Sequence, residues 1–211
     1  MPFDAAIFDL DGTLVDTERL ILEAGVEALA EVGHEPDIGF LVSLIGIAEA
    51  EARLRIARRF GGRLDLDRLD RAWEAASRRR YDEGIPLKPG VPEVLTALGP
   101  LPRAVATNSR TSSALRKLAA TGIAAHFAHV VGFDAVERPK PAPDVFLEAA
   151  RRLGASPAGC IAFEDSAAGV AAALAAGMTV VHVPDLHGTA VEGVHFRAGS
   201  LIEGARMAGL L

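Results

Sequence analysis

Lysine is nearly absent from this 211-residue chain: only Lys88, Lys117 and Lys140 occur, so its basic charge is carried almost entirely by arginine. Acidic residues outnumber basic ones, 28 to 22, and the formal net charge of -6 gives no electrostatic footing for nucleic acid. Cysteine occurs once, at Cys160, which excludes an internal disulfide; within the apolar run Cys160-Ile161-Ala162-Phe163 it reads as a packing thiol. No apolar tract approaches the roughly 20 residues that a membrane helix needs. The start, from Met1 to acidic Asp9, lacks the basic stretch and longer apolar segment of a signal peptide. These absences predict a cytoplasmic protein with neither a nucleic-acid nor a membrane partner, and no protein partner is predicted.

Half of the residues are apolar and 24% are charged, enough to build a buried core. Ala5 to Phe8 is an apolar run ending in polar residues and Gly12, as in a strand buried on both faces of a parallel sheet. Similar runs recur at Arg103 to Thr107, His129 to Gly132, Cys160 to Phe163 and Met178 to Val183. Helical spacing fills Ser112 to Thr121, Ala142 to Leu153 and Ser166 to Ala176. This alternation predicts an α/β fold with a doubly wound parallel sheet. Asp16 to about Pro86 breaks the rhythm. Its apolar stripes, Leu20-Ile21-Ala24-Ala28-Leu29-Val32, Leu54-Ala57-Phe60 and Leu66-Leu69-Trp73-Ala76, predict a small inserted helical cap. The expected division is a core of residues 1–15 and 87–211 and a cap of residues 16–86.

Four short segments carry chemistry. Asp9-Leu10-Asp11-Gly12-Thr13 follows the first strand, where open α/β sheets hold their ligands, and residues two apart in extended chain point the same way. Two such carboxylates repel unless a cation or shared proton relieves them, and magnesium is the economical cation. Thr107-Asn108-Ser109 closes the second run with hydroxyl and amide donors. Lys140 sits in the proline-bounded turn Arg138-Pro139-Lys140-Pro141, a fixed point charge suited to a phosphoryl anion. Glu164-Asp165-Ser166 follows the Cys160 strand. Taken singly, the last three have bland readings as helix caps or turn punctuation; what favours chemistry is that all four follow successive strands on one sheet edge. The six histidines show no metal-ligand spacing and read as structural or surface groups.

In order and spacing these segments resemble the four motifs of the haloacid dehalogenase superfamily, over essentially the whole chain. The insertion point resembles its helical-cap subfamily, which includes phosphoglycolate phosphatase, sugar phosphatases and beta-phosphoglucomutase. The resemblance implies a magnesium-dependent phosphatase acting on a small phosphorylated metabolite through an aspartyl phosphate. Asp9 would be the nucleophile and Asp11 the acid and base, with Thr107 and Lys140 holding phosphoryl oxygens. Asn108 and Ser109 would bind substrate; Asp9, Asp11, Glu164 and Asp165 would bind the metal. The cap would close to exclude water.

Individual positions weigh the branches of that family. Its dehalogenases lack the second carboxylate of the first motif, which Asp11 supplies in this chain. Its phosphonatases need a cap lysine, and Asp16 to Pro86 contains none. Where the mutases carry a cap histidine and a Lys-Gly turn followed by Arg, this chain has Ile21, Ile45-Gly46 and Glu49. The turn glycine, Gly46, is kept as a substrate-binding position, while the cations that would retain a bisphosphate are gone. A phosphatase is therefore expected over the two alternatives, a sugar-phosphate mutase and a catalytically silent binding or regulatory protein. The cap arginines, Arg53, Arg55, Arg58, Arg59, Arg78, Arg79 and Arg80, read mostly as solvated helix faces.

Overall fold

The computed structural model describes residues 2–45, 49–185 and 191–211. Six strands form one parallel sheet: β1 Ala5–Phe8, β2 Arg103–Ala106, β3 His129–Val131, β4 Cys160–Glu164, β5 Thr179–His182 and β6 Phe196–Arg197, in the order β3-β2-β1-β4-β5-β6. The chain winds outward from β1 in both directions, which makes this a doubly wound sheet with its switch point beside β1. The helices are α1 Thr17–Glu31, α2 Ile38–Val42, α3 Glu49–Phe60, α4 Leu66–Glu83, α5 Val91–Ala97, α6 Thr111–Ala120, α7 Asp144–Leu153, α8 Ala167–Ala175 and α9 Leu201–Met207.

Alternation along β1 sends its side chains to two layers. Ala5 and Ile7 join a buried cluster with Val145, Phe146, Ala149 and Ala150 of α7 and Val170 and Ala173 of α8. Phe8 points the other way, stacks on Phe163 at 4.7 Å between ring centroids, and meets Phe127 edge-on at 6.0 Å. Burial of these aromatics on one side of the sheet and of the Ala5 and Ile7 cluster on the other contributes apolar stability to this unit. Register is what positions the site: Phe8 lies opposite Val105 and Phe163, so Asp9, Thr107 and Glu164 all fall within two residues of that row, at the same end of the sheet.

The chain divides into two compact units, Met1–Asp16 with Pro86–Leu211, and Thr17–Ile85. The second unit is helical throughout its described elements. Its core is Ala28, Leu29, Leu41, Leu44, Ile56, Leu64, Leu69 and Ala72. Two stripes differ from expectation: in α1 Ile21 is 41% exposed, and in α3 Ile56 is the buried residue while Leu54 is 52% exposed. Asp37 and Asp65 start α2 and α4 by accepting main-chain N–H bonds from Phe40 and Arg68, each at 3.0 Å. Arginines of this unit pair with its own carboxylates: Arg53 with Asp67 and Asp70, Arg80 with Glu23 and Glu27, and Arg79 with Glu27. Among the described residues, no helix is long and apolar enough to cross a membrane.

Candidate active site

Asp9 leaves β1 with its N–H still donating to Phe163 O at 2.9 Å, so its main chain is held by the sheet while its side chain is released at the edge. The chain then turns within five residues: Leu14 N and Val15 N both donate to Leu10 O, at 2.9 and 3.0 Å. Gly12 makes the turn possible, with φ of +86°. It also admits a neighbour, because a Cβ there would lie 2.3 Å from Asp165 Oδ2. Asp165 is held against the same loop by Thr13, whose hydroxyl donates to Oδ1 at 3.0 Å.

Glu164, the last residue of β4, is fully buried. One oxygen, Oε1, accepts from Lys140 Nζ at 2.5 Å, and Oε2 accepts from the N–H and hydroxyl of Ser166 at 3.3 and 3.2 Å. Space for this carboxylate depends on Gly169 in α8, where a Cβ would fall 1.9 Å from Oε1. Lys140 Nζ reaches Asp9 Oδ1 as well, at 2.5 Å, and lies 4.9 Å from the Phe146 ring centroid. Its main chain is clamped by Asn108, whose Oδ1 accepts from Lys140 N at 2.9 Å and whose Nδ2 donates to Lys140 O at 3.2 Å. Thr107 is buried, and its Oγ1 accepts from Ser109 N at 3.0 Å. The Ser109 hydroxyl donates to Asp11 Oδ2 at 2.7 Å.

The structure thus brings Asp9, Asp11, Thr107, Asn108, Ser109, Lys140, Glu164 and Asp165 to one sheet edge. Within that set Asn108 engages the Lys140 main chain and Ser109 engages Asp11. Gly46 lies outside the described residues. Two further residues, absent from the set expected on sequence grounds, join the site. Lys117, on α6, donates to Asp11 Oδ1 at 2.5 Å. His182, buried at the end of β5, has Nε2 3.0 Å from Asp165 O; a carbonyl only accepts, so that nitrogen carries the proton. Neither had a sequence signal, since one sits inside a helix and the other inside a strand.

Charge dominates the site. Asp9, Asp11, Glu164 and Asp165 are four carboxylates gathered with two ammonium groups, Lys117 and Lys140, so the full-ionisation count of this set is two charges negative. Oxygens of Asp9, Glu164 and Asp165 lie within 4.8 Å of one another. An all-oxygen, net-anionic set of this spacing fits a hard divalent cation. The Asp9 carboxyl is raised from 3.8 to about 8; burial is the largest cause, Lys140 opposes it, and Glu164 and Asp11 add to the rise. Burial pulls Lys140 the other way, but Asp9 and Glu164 outweigh it and keep the ammonium charged.

A pH dependence follows. Between 3.8 and about 8 the folded chain holds a proton at Asp9 that the unfolded chain does not, so this group makes stability fall as pH rises through that window. A divalent cation bound at Asp9 would replace the proton and remove the penalty. Without metal, Tm is expected to drop between about pH 6 and about pH 8.5, and excess magnesium should raise Tm more at the higher pH. Equal magnesium shifts at both pH values would contradict this.

The family model for haloacid dehalogenase-like hydrolases matches residues 3–177. The chain belongs to the haloacid dehalogenase-like hydrolases. Fructose-1-phosphate phosphatase YqaB of Escherichia coli is 38% identical over 182 residues, covering 84% of this chain and 94% of that protein. Phosphorylated carbohydrates phosphatase of Thermotoga maritima is 29% identical, covering 85% and 84%. The crystal structure of a hydrolase of this family from Deinococcus radiodurans, with bound phosphate and sodium, superposes with a TM-score of 0.83 at 30% identity, covering 100% of this chain and 98% of that one. These relatives are matched over most of their length, so the likeness extends across both compact units.

Proposed function

We propose that this hydrolase is a magnesium-dependent phosphatase that cleaves a small phosphorylated metabolite, a sugar phosphate in the first instance, through a phosphoryl group carried on Asp9. The observation that carries the reading is the buried constellation of Asp9, Lys140 and Glu164, with Asp11 two residues from the nucleophile on the same loop. Asp9 attacks phosphorus in line as the ester oxygen departs, and Asp11 gives that oxygen its proton. Asp11, now a carboxylate, takes a proton from the water that cleaves the acyl phosphate, and Asp9 is restored. Lys140 and Thr107 hold the equatorial oxygens, with Lys140 kept in place by Asn108. Asp9, the Asp11 main-chain carbonyl and Asp165 would hold magnesium, with Glu164 beside them; when bound it offsets the charge of nucleophile and phosphoryl group.

The sugar-phosphate assignment is supported by the activities named for the Escherichia coli and Thermotoga maritima relatives. We assign substrate choice to the helical unit and the site of action to the cytoplasm. Hydrolysis, rather than isomerisation, is supported by Ile21, an exposed apolar residue of α1, where the mutases place a cap cation. The test supplies fructose 1-phosphate and, separately, beta-glucose 1-phosphate with a trace of the 1,6-bisphosphate, with and without magnesium. Release of inorganic phosphate that chelator abolishes is expected. Glucose 6-phosphate with little free phosphate would overturn the assignment in favour of a mutase, and no turnover of any phosphate ester would leave a silent binding protein.

A further inference from the structure

The three lysines of this arginine-rich chain are all used in one way. Lys88 pairs with Asp16 and Asp185, Lys117 with Asp11, and Lys140 with Asp9 and Glu164, every partner a carboxylate of the sheet-bearing unit. Lys140 holds the phosphoryl group in the proposed mechanism; Lys117 has no part in it. Its side chain is 15% exposed although α6 is a surface helix, because it runs inward to the first loop. There it closes a triangle: Nζ donates to Asp11 Oδ1 at 2.5 Å and to Ser109 Oγ at 3.2 Å, and Ser109 Oγ donates to Asp11 Oδ2 at 2.7 Å.

We propose that Lys117 is a positioning residue for phosphoryl transfer, setting the orientation of the Asp11 carboxyl and stabilising the carboxylate left when Asp11 protonates the departing oxygen. This rests on the phosphatase reading. A carboxyl at the end of a short side chain turns freely unless both oxygens are engaged, and in this site Ser109 fixes one and Lys117 the other. In the transfer step the Asp9–phosphorus bond forms, the bond from phosphorus to the ester oxygen breaks, and the Asp11 proton moves to that oxygen. Negative charge therefore grows on Asp11 within reach of a preplaced ammonium. A compact ammonium suits a point between two acceptors better than the broad guanidinium used elsewhere in the chain.

A residue that acts through the general acid must matter in proportion to how much the leaving group needs a proton. Nitrophenolate departs without one; a benzyl alkoxide does not, and the two esters are nearly the same size. The experiment measures kcat/KM, which reports formation of the phosphoenzyme alone, for p-nitrophenyl phosphate and benzyl phosphate with the unmodified enzyme and Lys117→Met, and Tm confirms folding. The loss on benzyl phosphate is expected to exceed the loss on p-nitrophenyl phosphate by about 10-fold or more, within the range that general-acid catalysis contributes. Lys117→Arg should recover part of the selective loss. Lys117→Gln carries the same comparison if the Met variant does not fold. Equal losses on the two esters, or a larger loss on the nitrophenyl ester, would overturn the proposal while leaving the phosphatase reading intact. Absence of magnesium-dependent turnover in the unmodified enzyme would overturn both.

Discussion

Asp9→Asn is expected to give a folded protein whose turnover falls by about 10⁴-fold or more, the scale on which removing a covalent nucleophile acts. An amide is no nucleophile for phosphorus in this setting and contributes no charge to a cation. The fold should survive for a reason visible at the site: the amide oxygen can still accept from Lys140, and the buried excess of negative charge is relieved. Metal-free Asp9→Asn should therefore melt no lower than the unmodified protein at pH 8, while its stabilisation by magnesium shrinks. A variant with near-normal hydrolysis would remove Asp9 from the mechanism.

Lys140→Ala should be the second most damaging change, lowering kcat by about 10³-fold, since in the proposed mechanism the lost ammonium, buried against Asp9 and Glu164, holds the transferring group. It differs from Asp9→Asn in its effect on the fold. Asp9 and Glu164 are left facing each other without their shared cation, and breaking a buried pair in this way costs about 3–5 kcal/mol. Turnover is accordingly measured below the variant's own transition, with magnesium present. Lys140→Arg should rescue poorly, because the side chain is 3% exposed and its turn is clamped through Asn108. If Lys140→Ala hydrolyses at a near-normal rate, Lys140 serves only the fold.

The sheet-bearing unit was readable because burial on both faces leaves a plain mark. β1 to β5 are apolar runs ended by polar residues, and the candidate site gathers at those ends, so the strands and the candidate residues Asp9, Thr107 and Glu164 were legible together. β6 is only Phe196–Arg197, partly exposed and too short for a pattern, and α5 and α9 are seven residues each, under two full turns of periodicity. In the helical unit Leu54 and Ile56 are equally apolar, and only the packing of α3 shows that Ile56 is the buried one. Lys117 and His182 were illegible for a deeper reason. Each acts on a residue distant in sequence, Asp11 and Asp165 respectively, and local sequence holds no trace of the partner.

The central claim is that the phosphoryl group passes to Asp9 before it reaches water. The most direct measurement is the stereochemical outcome at phosphorus, followed with a phosphorothioate ester made chiral at phosphorus by two oxygen isotopes and hydrolysed in water carrying the third, so that the inorganic thiophosphate released is itself chiral. Two successive in-line displacements, first by Asp9 and then by water, predict net retention. Net inversion would mean that water attacks the ester directly, and it would contradict the role of Asp9 as the nucleophile.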